Sequence, residues 1–217
     1  MNKNLRGCNL EINLKKTEHF NFNGVAFLDR DGVIIKEKNY IKDPDDVELQ
    51  TGIEKVLDFL HSKNYKILVI TNQSGITRGY YSWEEYIAVT KKMLSLLEDK
   101  NSNKISSIFA CGAINENQCN WRKPGIGMIQ NAWPEKLIEE KDSILIGDKL
   151  SDIQAGKSSS IRKLFHILTG HGEKEKHKVL KLMLNSDYDM KPHSQNKKQF
   201  FQIKNIQILH QNLKKII

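Results

Sequence analysis

The chain has little cysteine, little proline and no long apolar run. Three cysteines in 217 residues, Cys8, Cys111 and Cys119, are an odd number without framework spacing. That argues against a disulfide scaffold and for a reducing compartment. Four prolines and 13 glycines exclude collagen-like and low-complexity chains. The longest apolar stretches, such as Ile67 to Ile70 and Ile144 to Ile146, fall far short of the roughly 20 residues that span a bilayer. The first 16 residues carry charge where a signal peptide needs an apolar core. The expectation is a soluble, cytoplasmic protein that does not engage membranes and is a monomer.

The net charge of +8 is not spread evenly. Residues 1–22 hold four Lys/Arg against two acids, residues 23–168 hold twenty of each, and residues 169–217 hold ten against four. The middle is neutral, and in the basic end Lys174, Lys176, Lys178 and Lys181 alternate with acids and apolar residues as on a solvated helix face. A nucleic-acid partner is not expected. What the chain does have is 39% apolar residues in a regular rhythm, enough for one α/β domain.

Short β-branched runs alternate with stretches of helical period. The runs are Gly24 to Leu28, Lys66 to Ile70, Ile105 to Cys111, Ser143 to Ile146 and Lys163 to Leu168. Between them, Ile53, Val56, Leu57 and Leu60 share one helix face, and Tyr86, Val89, Met93, Leu96 and Leu97 share another on a helix capped by Ser82. Ser151 with Gln154 suggests a capping box after the fourth run. The fold class is α/β, a three-layer, doubly wound parallel sheet over residues 23–185. Residues 1–22 read as an N-terminal arm. Residues 186–217, with Phe200, Phe201, Ile203, Ile206, Ile208, Leu209, Leu213 and Ile217 at helix-like spacing, read as a basic extension forming a docked helix.

In such sheets ligands sit beyond the carboxyl ends of the strands. There the runs end in Asp29-Arg30-Asp31-Gly32, Thr71-Asn72-Gln73-Ser74-Gly75 and Gly147-Asp148-Lys149-Leu150-Ser151-Asp152, with Arg122-Lys123-Pro124 ahead of a further helix. Each alone passes for a turn; together they suggest phosphoryl transfer through an aspartyl phosphate. Asp29 is the candidate nucleophile. The Asp29 carboxylate, an Asp31 backbone carbonyl and Asp148 could hold Mg²⁺, with Asp152 orienting them. Thr71 and Lys123 could bind phosphate oxygens, and Asp31 could pass a proton to the leaving oxygen.

FLDRDGV, VITNQSG, RKPGIGM and IGDKLSD resemble the four motifs of the haloacid dehalogenase superfamily, from about Gly24 to Gly170. The combination is similar to the heptose 1,7-bisphosphate phosphatases and the related histidinol-phosphate phosphatases. The resemblance implies a Rossmann-like domain without a large cap, the same roles for Asp29, Asp31, Thr71, Lys123 and Asp148, and an entrance segment from Ile34 to Asp46. It implies substrate contacts at Glu37, Lys38, Asn39, Tyr40, Asn72, Gln73, Ser74, Arg122 and Lys149. Arg122, a bidentate donor, suits the second phosphate of a bisphosphate, which favours a sugar bisphosphate and C7 hydrolysis in nucleotide-activated heptose synthesis. Histidinol phosphate and a polynucleotide end are the alternatives, and a non-catalytic phosphate-binding protein stands behind them.

The family's zinc loop is incomplete here. Where the family carries Cys-x-His and Cys-x-Cys pairs, this chain has Cys111-Gly112-Ala113 and Cys119-Asn120-Trp121. Two thiolates rarely satisfy four-coordinate zinc, so no zinc is expected, with Trp121 packing in its place. His166 reads as a core residue, and His171 as able to reach the mouth of the site.

Overall fold

The computed structural model describes residues 2–14, 22–115, 117, 119–133, 142–184, 186–189 and 198–217. Eight strands form one sheet: β1 (Asn2–Arg6), β2 (Asn9–Asn13), β3 (Gly24–Leu28), β4 (Tyr65–Asn72), β5 (Ile105–Cys111), β6 (Asp142–Gly147), β7 (Lys163–Ile167) and β8 (Gln199–Ile203). Their order is β1-β2-β5-β4-β3-β6-β7-β8. The six from β5 to β8 are parallel, and among the described strands β2 alone is reversed, pairing antiparallel with both β1 and β5.

The parallel strands are buried on both faces, which is why they read as continuous apolar runs. Ala26, Leu28, Ile67, Val69, Ile144, Ile146, Phe165 and Ile167 point to one face. They pack against α1 (Ile53–Ser62), α2 (Trp83–Glu98) and α6 (Ile206–Ile216). Val25, Phe27, Leu68, Ile70, Leu145 and Leu164 point to the other, where α3 (Gly127–Ala132), α4 (Leu150–Ser158) and α5 (Gly172–Leu184) cover them. The expected three-layer, doubly wound sandwich is thus in place. Only the 3₁₀ turn Pro44–Asp46 lies between β3 and α1, so the described residues hold no large cap.

Three local expectations are corrected. Residues 2–13 form a hairpin, β2 pairing with β5, rather than a loose arm. Its outer strand NKNLR is exposed throughout and polar except for Leu5, which limits further pairing at this edge; residues 15–21 lie outside the described residues. The C-terminal stretch docks as strand plus helix: β8 extends the sheet beside β7, with the Phe165 and Phe201 rings stacked at 4.8 Å, before Asn205 caps α6. The helix after β6 starts at Leu150, ahead of the expected Ser151 cap. Its first turn is closed by the Asp152 carboxylate, which accepts the Lys149 N–H at 2.9 Å. The Ser82 capping box on α2 is present.

Candidate active site

The chain leaves β3 for β4 on one side and later returns to β6 on the other, so the end of β3 is the switch point of the sheet. Asp29 stands there. Its N–H donates to the Ile146 carbonyl at 2.9 Å, and its Oδ1 accepts the Arg30 N–H at 2.8 Å. Asp148, at the end of β6, and Asp152, on the first turn of α4, bring carboxylate oxygens to within 4.8 Å of Asp29 and of each other. All three carboxylates are buried.

Lys123 answers them from inside the protein. Lys123, 3% exposed, places Nζ 3.1 Å from Asp29 and 2.6 Å from Asp152, and donates to the Ile70 carbonyl at 2.8 Å. Asn72 clamps the Lys123 backbone from both sides: its Nδ2 donates to the Lys123 carbonyl at 2.9 Å, and its Oδ1 accepts the Lys123 N–H at 3.0 Å. These two contacts fix the backbone from which the Lys123 side chain reaches Asp29 and Asp152.

The three carboxylates outnumber the two lysines that act on them, Lys123 and Lys149. Burial pushes the Asp29 carboxyl above its usual value against the pull of Lys123, with Asp152 and Asp31 adding repulsion. Burial is also the main cause that lifts Asp148, to about 8, against Lys149, with repulsion from Asp29 and Asp152 adding to it. Asp148 Oδ2 accepts the His171 N–H at 2.7 Å, whereas its Oδ1 is buried without a hydrogen-bond partner. A Cβ on Gly32 or Gly170, both at positive φ, would run into this carboxylate. Three crowded carboxylates, an orphaned oxygen and glycine walls that admit close approach fit a small, hard divalent cation.

Asp31 is turned from the trio. Arg30, 1% exposed, donates to its oxygens from Nε and Nη2 at 2.9 to 3.2 Å and lies 4.8 Å over the Tyr86 ring. Gln73 Nε2 donates to Asp31 Oδ2 and to Thr71 Oγ1, both at 2.8 Å, while Gln73 Oε1 accepts from the Tyr81 hydroxyl at 2.5 Å. Burial works against the Asp31 charge, but Arg30 and Lys149 outweigh it and hold the carboxyl below its usual value. The Asp31 side chain therefore lies outside the metal cluster, which leaves its backbone carbonyl for the ligand role expected of it.

Beside these groups opens a cavity of about 250 Å³. Of the expected contacts it is lined by Glu37, Asn39, Tyr40, Asn72, Gln73, Ser74, Arg122 and Lys149. Lys38 is the exception: its Nζ pairs with Glu48 at 2.8 Å and lies 3.7 Å from Asp46. Asn72 and Gln73 spend their amides on Lys123, Asp31 and Thr71, so they position other groups. Lys149 Nζ stands 3.4 Å and His171 Nε2 3.3 Å from Glu37 Oε2. Arg122 Nη1 donates to the Ala113 carbonyl at 2.8 Å.

Arg30, Tyr81 and Ser151 also line the cavity and were not among the predicted site residues, while His171 lines it as a residue able to reach the mouth of the site. Arg30 could have been anticipated, since two acids after a buried strand need a countercharge. His166, buried in β7, places Nε2 3.1 Å from the Asp148 carbonyl, and Gln202 Nε2 of β8 stands 3.1 Å from its Nδ1. A carbonyl only accepts and an amide N–H only donates, so Nε2 carries the proton. The C-terminal strand thereby braces the Asp148 backbone.

An aspartate at the switch point, a second two residues on, a lysine held on the first and acids at the end of the next strand define a phosphomonoester hydrolase of the haloacid dehalogenase type. The family model described as polynucleotide kinase 3 phosphatase matches residues 24–210. D-glycero-alpha-D-manno-heptose-1,7-bisphosphate 7-phosphatase of Photorhabdus laumondii is 43% identical over 162 residues, covering 70% of this chain and 86% of that protein. D-glycero-beta-D-manno-heptose-1,7-bisphosphate 7-phosphatase of Helicobacter pylori is 38% identical over 142 residues, covering 65% and 82%. The crystal structure of D,D-heptose 1,7-bisphosphate phosphatase from B. bronchiseptica, complexed with magnesium and phosphate, shares the fold. Its TM-score is 0.69 at 22% identity, with 89% of this chain and 99% of that one covered. The chain belongs to the haloacid dehalogenase superfamily of phosphatases, in the family that this model and these heptose bisphosphatases represent.

Proposed function

We propose that this protein is a Mg²⁺-dependent phosphatase that removes the C7 phosphate of D-glycero-D-manno-heptose 1,7-bisphosphate by way of an aspartyl phosphate on Asp29. The observation that carries the reading is Asp29 itself, a buried carboxylate at the switch point, held by Lys123 and crowded by two further carboxylates. Asp29, Asp148 and the Asp31 carbonyl would hold Mg²⁺, with Asp152 orienting them. When bound, the ion offsets the carboxylate charge and that of the phosphate, so that an anionic nucleophile can approach phosphorus.

An Asp29 oxygen bonds to phosphorus as the bond to the sugar oxygen breaks. Lys123 and the Thr71 hydroxyl hold equatorial oxygens, which carry the charge of a loose transition state. Asp31 supplies the proton for the leaving oxygen. Arg30 keeps it ionised in the free enzyme, so it takes up that proton with the phosphate, whose negative charge raises its pKa. In the second step Asp31 accepts a proton from the water that attacks phosphorus and frees Asp29.

The sugar bisphosphate is supported by the names of the relatives and by the two cations in the cavity wall, Lys149, which acts on Asp29, Asp31 and Asp148, and Arg122, which is left as the seat for a second phosphate. The reading is of a cytoplasmic monomer acting on a small metabolite. Phosphate release from heptose 1,7-bisphosphate, fructose 1,6-bisphosphate, histidinol phosphate and a 3′-phosphorylated oligonucleotide, with Mg²⁺ and with chelator, tests the reading. Mg²⁺-dependent preference for the heptose is expected. Preference for histidinol phosphate or the oligonucleotide would overturn the substrate, and silence on all four would overturn the activity.

A further inference from the structure

Away from the catalytic end of β3, the three cysteines of the chain meet. Cys8 sits in the turn between β1 and β2, Cys111 ends β5, and Cys119 follows eight positions later, ahead of Arg122. Strand register brings them together: Asn9 pairs with Cys111, and the Gly112 N–H donates to the Cys8 carbonyl at 2.7 Å. The three Sγ atoms lie within 4.8 Å of one another. Asn9 Oδ1 accepts from the Cys119 thiol at 2.9 Å and from the Cys8 thiol at 3.4 Å, so one amide oxygen faces two of the sulfurs. Cys111 is buried, while Cys8 and Cys119 are partly exposed and leave a way in.

We propose that Cys8, Cys111 and Cys119 form a three-thiolate site for Zn²⁺, with Asn9 Oδ1 or a water in the fourth position. Tetrahedral zinc at about 2.3 Å from each sulfur sets the sulfurs about 3.8 Å apart, so they need close by no more than about an ångström. Three thiolates select a soft or borderline ion over Mg²⁺. Expecting no zinc, as the loop alone suggests, leaves out Cys8, which comes from a hairpin outside the family-matched residues 24–210. Trp121 packs on Phe109 at 5.8 Å and beside Gly127. Burial pushes the Cys111 and Cys8 thiols up. The ion ties the β1-β2 hairpin to the segment that carries Arg122, giving the hairpin a structural purpose.

The full-length reduced protein, stripped with chelator and titrated with Cd²⁺, should develop a thiolate charge-transfer band that saturates at one equivalent and persists in excess Mg²⁺. Zn²⁺ should quench the band by competition and raise the melting temperature. Cys8→Ser alters a partly exposed turn residue and should fold. Its band should fall to about two-thirds of the wild-type intensity or less, and its Cd²⁺ affinity at least tenfold. Absence of a band in the reduced protein, or a Cys8→Ser titration indistinguishable from wild type, would overturn the proposal. So would a Cys8–Cys119 disulfide in protein isolated without reductant whose reduced form takes up no metal.

Discussion

Lys123→Met is the most informative perturbation of the site, because the structure makes its cost calculable. The lysine is 3% exposed and spends its ammonium on Asp29, Asp152 and the Ile70 carbonyl. Methionine keeps most of the volume, so the cavity cost is small, but two buried carboxylates lose their shared partner. Removing one side of a buried ion pair costs about 3–5 kcal/mol. For a domain of this size that lowers the melting temperature by roughly 6–20 °C, at about 2–4 °C per kcal/mol. Lys123→Met with Asp152→Asn should recover part of the loss, because the second change removes one of the stranded charges. Urea and thermal unfolding of wild type, both single variants and the double variant, each without divalent cation, give the coupling directly. A Lys123→Met protein within about 1 kcal/mol of wild type would refute the charge account, as would a double variant less stable than Lys123→Met alone. Activity should vanish in every Lys123 variant, even where stability is restored.

Three further outcomes follow from particular contacts. His166→Leu removes the N–H that braces the Asp148 carbonyl and should weaken Mg²⁺ activation roughly tenfold, read as the Mg²⁺ concentration at half-maximal rate; an unchanged value would remove β7 and β8 from the support of the site. Leu209→Ala, at a fully buried position of α6, should cost about 2–5 kcal/mol in urea unfolding, and a cost below about 1 kcal/mol would mean that the C-terminal helix is not part of the core. Burial raises the Tyr65, Tyr81, Tyr86 and Tyr188 hydroxyls above the ordinary value of 10.0. Their stability contribution is present below pH 10 and lost as the pH rises above it, where the unfolded chain releases phenolic protons and the folded chain does not. The urea midpoint should therefore fall from pH 9 to 11.5, and less steeply in Tyr65→Phe, which also loses the hydrogen bond to Asp142; equal slopes would contradict this.

The central strands and the polar groups gathered at their ends were legible because one physical fact marks both. A strand buried on two faces is apolar along its length, and the polar residues that follow it then stand out. The ends were hidden for the opposite reason. The edge strand Asn2–Arg6 has no buried face and so no pattern. In the C-terminal stretch, Phe200, Ile203 and Ile206 are three apart and mimic a helix, although Phe201 and Ile203 point to one face of the sheet and Phe200 to the other. The role of Arg30 and the gathering of the three cysteines depend on which strands lie side by side. Cys8 and Cys111 are neighbours only because β2 pairs with β5. Lys38 shows the limit of a motif: its neighbours line the cavity, and it faces Glu48.

The central claim is that Asp29 carries the phosphoryl group. The measurement that tests it most directly is to quench the enzyme during turnover of heptose 1,7-bisphosphate, reduce it with borohydride, and sequence the peptides by mass spectrometry. An acyl phosphate on Asp29 is reduced to homoserine, so homoserine at position 29, absent without substrate and absent in Asp29→Asn, is the predicted result. Homoserine at another acid, or an Asp29→Asn enzyme that still releases phosphate, would contradict it.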